Sequence, residues 1–226
     1  MMKVAILSSL TASLALMVPS VVSASAQEAP AKETGPFGAA PSGTYTLDPT
    51  HAFLTFKVGH SAGLSRYMGV FTEYDATIEL DANEPEASTV DVTIRPESLF
   101  VNYPKDYKAS HPDTGFETWT EDLTMSDLWL NADEFPTISF VSTSIDVLDD
   151  ATGEITGDLT FLGVTKPVTL DVTFRGAQKS RYTDGYNIGF DAKTTIKRSD
   201  FGNDSYIPII GDEVKIEFSG EFGPAE

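Results

Sequence analysis

Three histidines, His51, His60 and His111, are the only imidazoles that could serve acid–base, nucleophilic or metal chemistry in 226 residues, and there is no cysteine. A metal site needs three or four converging donors. Neither a His-x-His nor a His-Glu-x-x-His spacing occurs, so no metal is expected. Asp48 stands three residues before His51, a spacing that suits a hydrogen bond fixing a strand entry, with contact to the polar head of a ligand as the sharper alternative. His111 falls in the loop-like Ser110-His111-Pro112-Asp113. Arg198-Ser199-Asp200-Phe201-Gly202 ends a strand with a cation, an anion and a glycine. It reads either as a turn locked by an Arg198–Asp200 pair or as a cation, Arg198, meeting a head group. A serine nucleophile would need one of the three histidines as its base, and no Gly-x-Ser-x-Gly elbow, phosphate-binding glycine loop or dinucleotide fingerprint is present. The carboxylates Asp149 and Asp150 lie in a turn, where solvation is the default. Catalysis is therefore not expected, and neither is a cofactor.

What the chain has in quantity is apolar side chains at a period of two. Val90, Val92 and Ile94 alternate with Asp91, Thr93 and Arg95, and Val168, Leu170, Val172 and Phe174 alternate with Thr169, Asp171, Thr173 and Arg175. One face of each segment must be buried. Strands are expected over residues 44–47, 51–60, 69–80, 89–99, 137–147, 154–161, 168–175, 186–197 and 213–221. The links 148–153 and 163–167 are short and turn-like, which suits an antiparallel meander rather than helical crossovers. With many strands and little helix, the sheet hides its apolar face by closing on itself.

One segment breaks the period. Between Phe100 and Pro136 the sequence Thr118-Trp119-Thr120-Glu121-Asp122-Leu123 looks like a helix start, with Thr118 or Thr120 as cap and two acids in the positive first turn. Trp119, Leu123 and either Asp127 or Leu130 fall on related faces, so a short amphipathic helix is expected to cover one barrel mouth. The candidate lining of the barrel is Phe56, Val58, Phe71, Tyr74, Val92, Ile94, Phe140, Leu159, Phe161, Phe174, Phe190 and Phe218, with Trp119, Leu123 and Trp129 from the helical region. A small barrel is either filled by such residues or just wide enough for one ligand, and periodicity leaves that choice open.

Lys3, an apolar run from Val4 to Val18 and Ala24-Ser25-Ala26 read as a cleavable secretory signal over residues 1–26, which implies a periplasmic protein. Residues 27–43, rich in Pro, Ala and Gly, read as a flexible tether; the barrel is expected over 44–222 and a tail over 223–226. Without cysteine, the exported chain must be held by its core alone. A formal charge of −19 repels phosphate backbones, so nucleic acid is not an expected partner.

Several phrases carry a resemblance. They are Asp48-Pro49-Thr50-His51, Phe56-Lys57-Val58-Gly59-His60 leading to Gly69-Val70-Phe71, the stretch 135–143 beginning Phe-Pro-Thr, the stretch 157–168 from Gly157 to Val168, then Arg198 to Gly202 and Val214-Lys215-Ile216. In this order, across about 43–221, they resemble the YceI-like family of exported proteins associated with polyisoprenoid and other long-chain lipid binding. The resemblance implies an all-β, extended antiparallel lipocalin-like barrel of about eight strands whose apolar tunnel holds one chain-like amphiphile: a polyisoprenoid, an isoprenoid quinone or a fatty amide. Ala52 stands where the family often has Ser. Glu121-Asp122-Leu123 replaces an Asp-x-His-Leu phrase, and the stretch 102–116 is longer than usual. Two other classes remain open. One is an accessory protein whose acidic surface docks on a membrane redox partner such as a b-type cytochrome; the other is a lipid-modifying enzyme on the same frame. Monomer and homodimer are both open.

Overall fold

The computed structural model describes residues 40–225. The expected signal, 1–26, and the tether up to residue 39 lie outside the described residues. The described chain forms ten strands: β1 (Gly43–His60), β2 (Ser65–Phe71), β3 (Tyr74–Leu80), β4 (Thr89–Ile94), β5 (Leu99–Phe100), β6 (Ile138–Val147), β7 (Thr152–Phe161), β8 (Val164–Lys179), β9 (Tyr186–Lys197) and β10 (Ile210–Pro224). Two short helices, α1 (Tyr107–Ser110) and α2 (Trp119–Met125), interrupt the strands between β5 and β6.

Every pairing is antiparallel, and eight strands close a cylinder in the order β1-β3-β4-β6-β7-β8-β9-β10 and back to β1. The closing seam puts Leu54, Phe56 and Val58 opposite Phe218, Ile216 and Val214. The inner face continues through Ile78, Ala76 and Tyr74 opposite Val90, Val92 and Ile94, and through Phe140 opposite Val92 and Leu159. A shift of one residue anywhere would turn these side chains to water, so the apolar alternation fixes the register.

From β6 to β10 the sheet is the expected meander, but the first three strands are not. The segment expected as one strand over 69–80 is two, β2 and β3, parted at Thr72-Glu73, and both pair with β1: β2 with its second half, β3 with its first. Conversely the two segments 44–47 and 51–60 are one strand. Asp48-Pro49-Thr50-His51 is a bulge in it, across which the partner steps only from Phe222 to Gly220. A proline without an N–H belongs at such a bulge. β8 is longer than expected, because Val164 to Pro167 pair with β7 and the turn contracts to Leu162-Gly163, both left-handed at φ 49° and 71°. The barrel also extends beyond 44–222. Ala40 is buried with Tyr45, whose hydroxyl donates to the Pro41 carbonyl at 2.9 Å, and Gly223 and Pro224 pair with Thr46 and Tyr45 rather than forming a tail.

Two inward glycines are required by close approach. A Cβ at Gly69 would stand 2.4 Å from the Phe56 ring, and one at Gly157 2.4 Å from the Phe140 ring. Each glycine lets an aromatic ring lie flat across the neighbouring strand, which accounts physically for two of the phrases noted in the sequence.

Candidate functional site

The barrel interior is hollow. A cavity of about 350 Å3 runs through it, walled by side chains from all ten strands and capped by α2 and the segment after it. That is within the size range of small-molecule cavities. Apolar packing is concentrated in two clusters. At the end where β1 begins, Tyr45, Ile188 and Phe222 are almost fully buried; at the α2 end, Ile138, Phe140, Leu159, Phe161, Ile196 and Phe201 pack together. Between them Phe56, Phe71, Tyr74, Phe174, Phe190 and Phe218 point inward yet are only half-buried. A solid core would bury such rings; a cavity leaves one side of each uncovered.

All fifteen apolar candidates named from sequence line this cavity, Trp119, Leu123 and Trp129 at its α2 end included. Val168, Leu170, Val172, Val214 and Ile216, on the alternating strands, also line it, and so do Ala76, Ile78, Ile138, Ile155, Ala192 and Ile196, which are not among the sequence candidates. Their period of two was a sufficient signal. Tyr67 was missed because β2 begins four residues earlier than the expected strand.

The cap is built from caps of its own. Thr118 Oγ1 accepts from Glu121 N at 3.0 Å as the N-cap of α2, while Glu121 Oε2 reaches back to accept from Glu117 N at 2.8 Å. The helix ends at Met125, leaving Asp127 outside it and exposed, whereas Leu130 reaches the cavity through a bond from its N–H to the Leu123 carbonyl at 3.1 Å. The expected long loop contains α1, capped by Asp106, and its buried Tyr107 donates to Asp122. Burial, then the Asp122 carboxylate, pushes the Tyr107 phenol far up, so it stays a donor. Trp119 is the hub: its ring centre lies 5.5 Å from Tyr107, 5.9 Å from Tyr67 and 6.1 Å from Trp129, which stacks at 5.7 Å on Tyr206. Among the described residues, Trp119 Nε1 is the buried side-chain polar atom left without a hydrogen-bond partner.

Of the polar candidates, Arg198 and Asp200 are placed differently from the expected pair, whereas His51 makes the expected hydrogen bond to Asp48. Arg198 does border the cavity and is buried at 5% exposure, but its partners do not include Asp200. Its five N–H groups are donated to oxygens of the β9–β10 connection and the first two residues of β10. Nε reaches Gly211 O at 2.8 Å, Nη1 reaches Asn203 O at 3.1 Å and Oδ1 at 2.6 Å, and Nη2 reaches Ser205 O at 2.7 Å and Ile210 O at 3.0 Å. A planar fork with five donors can satisfy a ring of carbonyls that no other side chain could. Burial lowers the Arg198 pKa, opposed by the carboxylates of Asp212 and Asp204. Asp200 is exposed in the short 3-10 turn that follows β9; the anion that holds this turn is Asp212, which accepts from Ser199 N and Oγ, both at 2.9 Å. Asn203 completes the clamp by donating to the Trp129 carbonyl at 2.8 Å.

His51 lies on the outer surface in the β1 bulge, away from the cavity wall. Its Nδ1 is 2.8 Å from Asp48 Oδ2, and Asp48 Oδ1 accepts from Thr50 N at 2.9 Å and Thr50 Oγ1 at 2.6 Å. The Thr50 hydroxyl, then His51, holds the Asp48 pKa down at about 2, and the hydrogen bond to Asp48, then its charge, raises His51 above its ordinary 6.5. The His51 contribution is full below pH 6.5 and fades as pH rises through its raised value; that of Asp48 is full above 3.8 and fades toward 2. A proton NMR titration should find His51 above 6.5, and Asp48→Asn should return it to its ordinary range; no movement in that variant would show that the two do not interact in solution. Among the described residues, no group of three or more His, Asp or Glu is arranged to hold a metal ion.

Comparison with known proteins places this architecture. The YceI-like domain matches residues 45–222. A UPF0312 protein of Pseudomonas savastanoi pv. phaseolicola is 35% identical over 168 residues, covering 73% of this chain and 79% of the relative. Another from Pseudomonas fluorescens is 37% identical over 152 residues, covering 67% and 71%. Among solved structures, Burkholderia cenocepacia BcnA superposes with a TM-score of 0.62 at 21% identity, covering 79% of this chain and 99% of that one, a likeness of fold. The Campylobacter jejuni YCEI protein gives 0.54 at 28% identity, covering 70% and 85%. The closed eight-stranded barrel and the matched residues together show that the chain belongs to the YceI-like family.

Proposed function

We propose that this protein is a periplasmic carrier that sequesters one long-chain amphiphile, a polyisoprenoid, an isoprenoid quinone or a fatty amide, in its barrel. The observation that carries this reading is the cavity of about 350 Å3 with an almost wholly apolar wall. The wall is apolar apart from a few polar side chains, and two of these, Arg198 and Asn203, are engaged with the backbone around them, which favours binding over catalysis. The affinity comes from taking methylenes out of water. Each contributes about 0.8 kcal/mol, so about ten supply the ~8 kcal/mol of a micromolar complex before ordering costs are met. The half-buried rings around the hollow are the surfaces such a tail would cover.

Native mass spectrometry of protein purified without detergent is the direct test. The expected spectrum shows an adduct that organic extraction removes, and the extracted protein regains it when offered a chain-like amphiphile. A chain that is empty on every purification and takes up no such molecule would overturn the proposal.

A further inference from the structure

The α2 end of the barrel displays apolar side chains to solvent on two adjacent loops. Leu64, at the tip of the β1–β2 hairpin, is 87% exposed, and in the β9–β10 connection Tyr206 is 57%, Ile207 37% and Ile209 58% exposed. The loops are neighbours, since His60 pairs with Ile210 and the backbones of Gly59 and Gly211 are in close contact. Neither is a loose tip. Ser61, Ala62 and Gly63 hold a left-handed turn closed by Gly63 N to His60 O at 3.1 Å, and the other loop is the one that Arg198 grips from within.

From this we infer that the α2 end is a membrane-docking edge, whose apolar tips enter the interface of a neutral lipid bilayer while the barrel loads or delivers its guest. The inference rests on the carrier reading, and three observations favour a lipid surface over other occupants. First, the edge is continuous with the cavity: Arg198, Asn203 and Ile210 of the clamped loop border it, and Trp129 both lines it and stacks on Tyr206. Second, the side chains are an aromatic and long aliphatics on protruding loops, the types that partition to the headgroup–acyl boundary. Third, a chain of formal charge −19 with Asp204 and Asp127 exposed on these same segments is repelled by anionic surfaces, which selects a zwitterionic one.

Co-sedimentation of the full chain with phosphatidylcholine vesicles tests this, alongside uptake of the soluble fluorophore N-phenyl-1-naphthylamine without vesicles. Wild type is expected to sediment with the vesicles, to stay bound at high salt and to bind less when phosphatidylglycerol is added. Leu64→Asp with Ile209→Asp is expected to lower vesicle binding at least tenfold, with fluorophore uptake and thermal midpoint unchanged; Leu64→Ser alone gives a smaller loss in the same direction. Equal sedimentation of wild type and double variant, or none by wild type, overturns the docking edge. So does a concentration-dependent dimer that the double variant abolishes, which assigns the surface to a second copy. Wild type that sediments but takes up no fluorophore overturns the carrier reading instead.

Discussion

Replacing Arg198 by Met is expected to lower the stability of the barrel by about 3–4 kcal/mol, because hydrogen bonds from a charged buried donor are worth roughly 1.5–3 kcal/mol each and the loop recovers part of the loss by opening to water. At about 2–4 °C per kcal/mol for a domain of this size, the thermal midpoint should fall by roughly 10 °C. The reason is local. Asn203, Ser205, Ile210 and Gly211 turn their oxygens toward one guanidinium, which itself is 5% exposed. Methionine fills the volume but leaves that ring of acceptors without donors. Arg198→Lys keeps the charge and should still lose most of the stability, since three donors on a single point cannot reach oxygens spread around a plane. Urea denaturation of the three proteins decides it. An unchanged midpoint for Arg198→Met would mean that the connection is held by something other than this clamp.

That side chain also marks the limit of what the sequence conveyed. The inward set was legible because a period of two is a one-dimensional record of a two-faced sheet, and Val90, Val92 and Ile94 needed no other information to be placed on the inner wall. The short helix was legible through its cap, Thr118. For Arg198 the sequence offers a pair with Asp200 or a head-group contact, and the structure gives it neither as a hydrogen-bond partner but five oxygens of residues 203–211. Its neighbour Asp200 is two residues away, whereas its real acceptors lie at residues 203–211, beyond a turn whose shape no local pattern records. The same holds for Asp122, which is at once a first-turn acid and the acceptor of a tyrosine from another helix. Strand breaks are hidden for a related reason: β2 and β3 read as one run, and what parts them lies elsewhere in the chain, where β1 bulges at Asp48 to His51 and the 95–98 turn bonds to Thr72 and Glu73. Whether the interior is empty is a matter of volume, which alternation does not encode.

Volume can be tested by filling it. Ala192 lies on β9 between Val172 and Phe218 and faces the cavity. In a solid core, Ala192→Trp would overpack and cost about 1–3 kcal/mol or more. In this barrel the indole has somewhere to go, so stability is expected to stay within about 1 kcal/mol of wild type. A long-chain guest would then be displaced. A ring that occupies the space of about four methylenes removes about 3 kcal/mol of burial, roughly a hundredfold in Kd. Ile188→Trp is the matched control, since Ile188 on the same strand is packed with Tyr45 and Phe222, is 1% exposed and does not line the cavity; there the same ring has no room and should destabilise by about 1–3 kcal/mol. Chemical denaturation and titration with a fluorescent fatty amide read the two quantities separately. If Ala192→Trp is as destabilising as Ile188→Trp, the hollow closes in solution; if it is stable and binds the amide as wild type does, the guest lies elsewhere.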